Sequence, residues 1–405
     1  MKTVYVFGAG ASHASPNVHV ETKTKYPLDK GFWLAVDNLK LLNEKTYLFK
    51  FLQIVYGEKN NLNNVGMEEV YTFVDNIISI LEMGGLAQFD HLDDKDDLRR
   101  PIALSTYYEN HHELLTIIDE FNEKSGTEHF QTSLKYMNFF RGIEKELIEL
   151  IYKAFQSIKP DWNCSLHNKF IDKILSGEAE TSIISFNYDL LLDQTLMGRG
   201  LTANIDFSYY IWLHQYSQIG GNDNKDIFAI FRKAYIPNDK IELLKLHGSL
   251  NWFVLLNHAN LQPEADMYAI AGKENIQVNS YYNLHLSGGE AYNKSNVLLQ
   301  RAIIAPVLEK LKKFKSTFSF ESLWTRSLER LKEAEKIVFI GYSMPQADYL
   351  ARWLFRMGYT LNPKKDLTVQ VVNPCLEVED EFKKIYSKAK FEPRVNGFQE
   401  YVDSM

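Results

Sequence analysis

Cysteine is scarce in this chain. Only two cysteines, Cys164 and Cys375, occur among 405 residues, and no CxxC pair is present. A zinc site built from four cysteines is therefore excluded. A disulfide framework is not expected either, so the cysteine content indicates a reducing, cytoplasmic setting. We expect a protein that works without a bound metal.

Long hydrophobic runs and an excess of positive charge are also missing. No apolar run is long enough to span a bilayer, and the stretch from Val4 to Phe7 is too short for a signal peptide. The formal net charge is −7 and the pI is about 5.9. This charge balance argues against broad affinity for nucleic acid or anionic membranes. We therefore expect no direct binding to either.

The remaining composition is that of a folded globular protein. Hydrophobic residues make up 45% of the chain and charged residues 24%, close to the average for soluble proteins. A length of 405 residues predicts two domains, or one α/β domain that carries a large insertion.

Apolar, β-branched segments recur along the chain and alternate in part with helical patterns. The first runs from Val4 to Phe7, and later ones cover residues 181–186, 243–246, 302–304, 337–340 and 367–372. Helical spacing is clear at residues 321–334 and 347–357. Nearly continuous apolar strands are typical of parallel sheets that are covered on both faces. The pattern predicts a doubly wound α/β sheet.

A different pattern fills the region after the first strand. Apolar residues such as Phe139, Ile143 and Leu147 recur there at helical spacing. We predict a Rossmann-like parallel sheet formed by residues 1–33 and 179–405, with a large, mainly helical insertion at residues 34–178. The polar stretch at residues 258–296 shows no pattern that assigns it to a helix or a strand.

The first candidate motif is Gly8, Ala9, Gly10, Ala11 and Ser12, directly after the first strand. Glycines here would let backbone N–H groups approach a pyrophosphate at a helix N-terminus. The third glycine of the dehydrogenase fingerprint is absent, because His13 occupies its position. An ordinary strand-to-helix turn explains the motif equally well.

Polar groups follow two further predicted strands. Asn187 and Asp189 come after the strand at residues 181–186, where they could order a ribose or a water, or form an Asx turn before the next helix. His247 follows the strand at residues 243–246, where it could act as a base or hold a sugar hydroxyl. A purely structural histidine is the alternative.

Two more strand ends repeat this arrangement. Gly341, which permits close approach, and Ser343, which offers a hydroxyl to phosphate, follow residues 337–340. Asn373 follows residues 367–372. Five strand ends that carry small or polar groups point to a shared ligand site more strongly than any one of them.

The order of these motifs resembles the Sir2 family, and within it the divergent Sir2-like proteins of bacterial antiphage defence. Sirtuins carry GAGxS, QNxD, HG, GTS and a late asparagine in that order. Their counterparts here are residues 8–12, 186–189, 247–248, 341–343 and 373. The form Gly341-Tyr342-Ser343-Met344-Pro345, followed by Asp348, is similar to the defence branch. The resemblance covers most of the chain apart from the helical insertion and residues 258–296.

Two departures from the deacylases bear on the activity that the resemblance implies. The zinc module with two CxxC pairs cannot be built, and the phenylalanine-arginine pair after the first motif has only loose counterparts in Asp29 and Phe32. Both favour the use of NAD⁺ with water as acceptor, which gives nicotinamide and ADP-ribose.

The resemblance also implies roles for the motif residues. Asn187 would position water and ribose, His247 would hold a ribose hydroxyl or accept a proton, and Asp189 would orient the site. The dinucleotide would lie against residues 8–12, Gly341, Ser343 and Asn373.

The implied biology is abortive infection by NAD⁺ depletion. The protein would work with a partner such as a HerA-like ATPase or a short Argonaute. Because the long, aromatic-rich helical insertion has more apolar surface than a Rossmann sheet alone can cover, we also expect a homo-oligomer. Two alternatives stay open. One is a protein deacylase or ADP-ribosyltransferase with an unusual acceptor site, and the other is a non-catalytic sensor of NAD⁺ or ADP-ribose.

Overall fold

The computed structural model consists of two compact units, Met1–Val18 together with Lys159–Met405, and His19–Ile158. It describes residues 1–15, 24–57, 59–82, 111–130, 132–158, 166–193, 195–196, 208–209, 213–215, 231–233, 241–256, 263–269, 298–303, 318–345, 348–363 and 366–405. Most of the unassigned polar stretch at residues 258–296 lies outside these ranges.

The larger unit contains the described strands. Most of the apolar, β-branched segments form strands close to their predicted positions. The strands are β1 (Lys2–Phe7), β2 (Glu180–Ser185), β3 (Ser208–Tyr209), β4 (Leu213–Gln215), β5 (Phe231–Lys233), β6 (Ile241–Lys245), β7 (Gly248–Leu256), β8 (Pro263–Ala269), β9 (Leu298–Ile303), β10 (Lys336–Ile340), β11 (Thr368–Val372) and β12 (Lys390–Phe391).

Seven of these strands form one parallel sheet in the order β12-β11-β10-β1-β2-β6-β3. Without the two-residue edge strand β3, the strands taken in chain order lie as 3-2-1-4-5-6 from one edge to the other. That is the order of doubly wound nucleotide-binding sheets, in which the direction of winding reverses between the first and fourth strands. The predicted parallel α/β sheet is confirmed, and its topology is compatible with a Rossmann-like fold.

Alternate side chains of each strand enter one of two hydrophobic cores. On one face Val4 and Val6 pack with Ile337 and Phe339, and on the other face Tyr5 and Phe7 pack with buried residues that include Ile183. The helices described in this unit are α1 (Ala9–Ala14), α8 (Leu166–Ser176), α9 (Phe318–Glu333), α10 (Tyr349–Leu361), α11 (Leu376–Ile385) and α12 (Phe398–Ser404). Residues of α9, α10 and α11 belong to the first core, and residues of α8 and α12 to the second.

One predicted strand belongs to a different sheet. Residues 302–304 were expected in the parallel sheet, but β9 pairs antiparallel with β7 in a separate three-stranded sheet, β8-β7-β9. A short apolar run has the same composition in either setting, so periodicity could not separate them. Strands β4 and β5 form a further antiparallel pair.

The described residues of the smaller unit form mainly helices. This unit contains α2 (Phe32–Asn38), α3 (Tyr47–Tyr56), α4 (Lys59–Leu62), α5 (Met67–Glu82), α6 (His111–Ser125) and α7 (Thr132–Ser157). Its boundaries differ from the predicted 34 and 178, because α8 packs Phe170 and Ile171 into the core of the sheet. Within the described helices, none is long and apolar enough to cross a membrane.

Candidate functional site

The carboxyl ends of five neighbouring strands lie in register along one edge of the sheet. Lys245 is the register partner of Ser185, Ser185 of Phe7, Phe7 of Ile340, and Ile340 of Val372. The five motifs follow directly after these residues, so the fold brings them to one edge. Ligands of open α/β sheets bind at this edge, beside the point where the winding reverses.

The loops after β1 and β10 meet at that point. The Gly8 N–H donates to Ile340 O at 3.0 Å, and the Gly10 N–H donates to Gly341 O at 2.9 Å. A Cβ on Gly10 would lie 2.9 Å from Gly341 Cα, and a Cβ on Gly341 would lie 2.2 Å from Ala11 N. Gly341 also has a φ of +63°, which favours glycine. The glycines therefore allow two loops of the protein to touch.

This contact changes the role expected for the first motif. The N–H groups of Gly8 and Gly10 donate across to the β10 segment, and the Ala11 N–H donates to Gly8 O at 2.9 Å. These three amides are thus engaged within the protein rather than directed at a pyrophosphate. Ala9 and Ser343 are the exposed members of the two loops.

Asn187 and Asp189 connect the loop after β2 to the first motif. Asn187 Nδ2 donates to Gly8 O and to Ser12 Oγ, both at 3.0 Å, and Ser12 Oγ donates to Asp189 Oδ2 at 2.6 Å. Asp189 Oδ1 also accepts from Leu191 N at 3.0 Å, as in an Asx turn. The Asx turn of the structural interpretation is therefore present at this motif. Asn187 Oδ1 accepts no hydrogen bond from any of the described residues.

His247 lies beside a buried carboxylate. Its Nε2 is 3.1 Å from Asp348 Oδ2, and the same oxygen accepts from the Tyr342 hydroxyl at 3.2 Å. Asp348 is also the N-cap of α10, where Oδ1 accepts from Ala351 N. The imidazole packs edge-on against Phe186, with ring centroids 5.0 Å apart. A histidine held by a carboxylate has the arrangement of an oriented general base.

Both candidate catalytic side chains have little exposed surface. His247 is 3% exposed and Asn187 is 8% exposed. The aromatic rings of Phe186 and Tyr342 stack at a centroid distance of 4.4 Å next to them. Truncation of either residue would therefore remove buried contacts.

A buried ammonium group was missed by the sequence analysis. Lys245 Nζ donates to Asp189 O at 2.6 Å, Asp193 Oδ2 at 2.8 Å and Ser249 Oγ at 2.6 Å. Burial raises the pKa of Asp193, and the Lys245 charge and hydrogen bond oppose that rise. The available signal was a charged residue inside the apolar run 243–246 and another after Leu190, Leu191 and Leu192.

A second buried histidine, His167, was also missed. His167 Nδ1 is 2.8 Å from Ser15 Oγ, and the His167 side chain is almost wholly buried. Burial lowers the pKa of His167 to about 4, against a smaller opposing effect of the Asp189 charge. The imidazole is therefore neutral at physiological pH.

Asn373 lies at the same edge, one strand beyond Gly341. The Gly341 N–H donates to Val372 O at 2.9 Å, and Asn373 Oδ1 accepts from Cys375 N at 3.0 Å before α11 begins. This bond fixes the amide of Asn373 beside the loop that carries Ser343.

The edge thus offers two polar groups with fixed orientation, the amide of Asn187 and the imidazole of His247. Within the described ranges, no three His, Cys, Asp or Glu side chains lie together in a way that could hold a metal ion. Oriented amide and imidazole groups can position a water and a sugar hydroxyl and can accept a proton. Compared with models of known protein families and with curated proteins, the chain finds no match in either set.

Proposed function

We propose that this protein hydrolyses NAD⁺ to nicotinamide and ADP-ribose and that it is a divergent Sir2-like protein. The observation that carries the proposal is the alignment of five strand ends at the point where a 3-2-1-4-5-6 sheet reverses its winding. Parallel sheets of this order bind dinucleotides there. The order of the five motifs supports the Sir2 type.

The reaction breaks the bond between nicotinamide and ribose C1′. Nicotinamide leaves as a neutral molecule with the bonding electrons, and positive charge develops on the ribose. Water then adds to C1′ and loses one proton. A site for this reaction has to hold the ribose, position the water and accept the proton.

Asn187 and His247 fit these requirements. Two hydrogen bonds from Nδ2 fix the Asn187 amide, so Oδ1 has a defined direction for a water or a ribose hydroxyl. Asp348 orients the His247 ring, which accepts the proton from water or holds a ribose hydroxyl. Asp189 keeps Ser12 in place as the acceptor for Asn187.

The dinucleotide would lie along the loops after β1, β10 and β11. Because the amides of Gly8 and Gly10 are engaged, these glycines would give the site its shape, while the exposed Ser343 hydroxyl would contact phosphate. Asn373 would face the adenine-side ribose. NAD⁺ serves as substrate, and no metal takes part in this scheme.

A non-catalytic sensor of NAD⁺ or ADP-ribose is the second candidate. The observation that favours it is the burial of His247 and Asn187, which restricts the access of water. The third class, a protein deacylase or ADP-ribosyltransferase with an unusual acceptor site, gains no support from a particular contact.

Incubation with NAD⁺ alone separates the three classes. Release of nicotinamide without any added acceptor supports hydrolysis. Release only with an acylated peptide or a protein acceptor supports transfer, and binding by calorimetry without release supports a sensor. The last two results would overturn the proposal.

The same proposal includes regulation in a cytoplasmic setting. A homo-oligomer would stay weakly active until infection, with a partner such as a HerA-like ATPase or a short Argonaute as the trigger for NAD⁺ depletion. The near burial of both candidate catalytic residues supports low activity of the isolated chain. Light scattering that reports a monomer with full constitutive turnover would contradict this part.

A further inference from the structure

Lys245 has an unusual position for a charged residue. It ends β6, and its side chain is 1% exposed. Three acceptors surround Nζ at 2.6 to 2.8 Å, namely Asp189 O, Asp193 Oδ2 and Ser249 Oγ. An ammonium group has three N–H donors, so each of them has one acceptor here.

Packing alone does not require a cation at this position. The neighbours Leu244 and Leu246 are fully buried, and an apolar side chain of similar volume would avoid the desolvation of two charges. Replacement of a buried ion pair by apolar residues is often neutral for stability or even stabilising. A contribution to stability is therefore not sufficient to explain the buried ion pair of Lys245 and Asp193.

The contacts of Lys245 connect the two segments that carry the candidate catalytic residues. Asp189 lies two residues after Asn187, and Ser249 lies two residues after His247. The ammonium group bonds to both segments at once. It thereby fixes the carbonyl group of one segment relative to the side chain of the other.

Backbone hydrogen bonds also join these two segments directly. Leu250 N donates to Tyr188 O at 3.1 Å, and Leu246 N donates to Ser185 O at 2.9 Å. Trp324 Nε1 donates to Leu246 O at 3.3 Å, directly between Lys245 and His247. The NMR signal of the Trp324 indole N–H should therefore respond to a change in the position of this segment.

We propose that Lys245 is a positioning residue that sets the distance and orientation between Asn187 and His247. The proposal rests on the hydrolysis of NAD⁺ proposed above. Displacement of reacting groups by about 1 Å can cost about 10²-fold in rate. Loss of Lys245 should therefore lower turnover even in a protein that is fully folded.

The decisive variant replaces the whole pair, Lys245→Met with Asp193→Leu. It leaves neither charge buried alone, so it should remain folded, and the loss of a donor for Asp189 O and Ser249 Oγ should lower its melting temperature by less than an unpaired buried charge would. The single variant Lys245→Met should melt lower still, because the Asp193 carboxylate stays buried without the ammonium group of Lys245. A matched control is Lys336→Met with Glu392→Leu, which removes a pair bonded at 2.7 Å at the amino end of β10.

The expected result is a fall in kcat of about 10²-fold for the Lys245/Asp193 double variant, with KM for NAD⁺ close to that of the parent. The Lys336/Glu392 control should keep the parent kcat. A folded Lys245/Asp193 variant with parent kcat would overturn the proposal, because a merely structural role is then sufficient.

A second measurement does not depend on turnover. The indole ¹H–¹⁵N resonance of Trp324, assigned with Trp324→Phe, should shift in the Lys245/Asp193 variant and stay in place in the Lys336/Glu392 control. If the parent itself releases no nicotinamide, the proposed function fails, and this resonance still decides whether Lys245 fixes the segment. An unchanged resonance would contradict the positioning role.

Discussion

His247 Nε2 lies 3.1 Å from Asp348 Oδ2, in a pair whose side chains are 4% and 0% exposed. The two residues are far apart in sequence, and they meet because the strands before them end at the same sheet edge. Asp348 combines this contact with the N-cap of α10. Its charge and its hydrogen-bonding shape can therefore be tested separately.

Asp348→Asn keeps the shape and the capping ability, since asparagine is a good N-cap, and removes the charge beside His247. We expect the melting temperature to stay near that of the parent and nicotinamide release to fall, within the range of about 10²–10⁴-fold typical of acid–base groups. Asp366→Asn, on an exposed aspartate, is the matched control. Equal rates for both variants would show that the charge of Asp348 is irrelevant to turnover.

Gly341→Ala tests the contact between the loops after β1 and β10. The added Cβ would lie 2.2 Å from Ala11 N at a φ of +63°, so the loops must separate. Strain and overpacking should cost about 1–3 kcal/mol each. Gly397→Ala is the control, because nothing lies within 4 Å of its added Cβ. Similar free energies of unfolding for the two variants would contradict the contact.

Gly10 illustrates how far a motif can be interpreted without a structure. The GxG pattern correctly indicates that a backbone approaches closely, but the approaching group is Gly341 rather than a phosphate. Gly10→Val should therefore lower stability first, and NAD⁺ affinity as a consequence. The ends of the strands were predictable because a run of apolar residues can be recognised from neighbouring positions in the sequence. The partners of Lys245 were not, because they depend on which segments become neighbours.

The fate of residues 302–304 has a similar cause. An apolar run predicts a strand, yet the choice between the parallel sheet and the pairing of β9 with β7 depends on chain geometry over long distances. The helix α8 is a second example. Helical structure was correctly predicted for its residues, but they were assigned to the insertion, whereas α8 packs on β1 and β2.

His167 should make stability depend on pH. Its pKa falls from the ordinary value of 6.5 to about 4 on folding, so the unfolded chain binds a proton that the folded protein excludes. The stability is fully present above pH 6.5 and is lost as the pH falls towards 4. The loss should reach roughly 3 kcal/mol.

Urea unfolding between pH 7 and 4 measures this effect. The parent should lose stability more steeply than His167→Asn, which has no imidazole to protonate. His129→Asn, on a side chain that is 89% exposed, should follow the parent. Parallel curves for the parent and His167→Asn would exclude His167 as the cause.

Chelation tests the expectation that no metal takes part. With two cysteines and no CxxC pair, the chain cannot form the zinc module of the deacylases. Nicotinamide release should therefore persist in EDTA. Loss of activity with EDTA and its recovery on addition of zinc would contradict the expectation.

Nicotinamide release from NAD⁺ by the variants His247→Gln and Asn187→Ala decides whether these two side chains carry out the hydrolysis. Glutamine can still donate to Asp348 but cannot serve as a base, whereas His247→Ala would leave that carboxylate without its imidazole partner. Asn64→Ala and His129→Gln, on exposed side chains, are the matched controls. We expect a loss of about 10²–10⁴-fold for both site variants at melting temperatures that show a folded protein, with parent rates for the controls. Near-parent rates for folded His247→Gln and Asn187→Ala would contradict it.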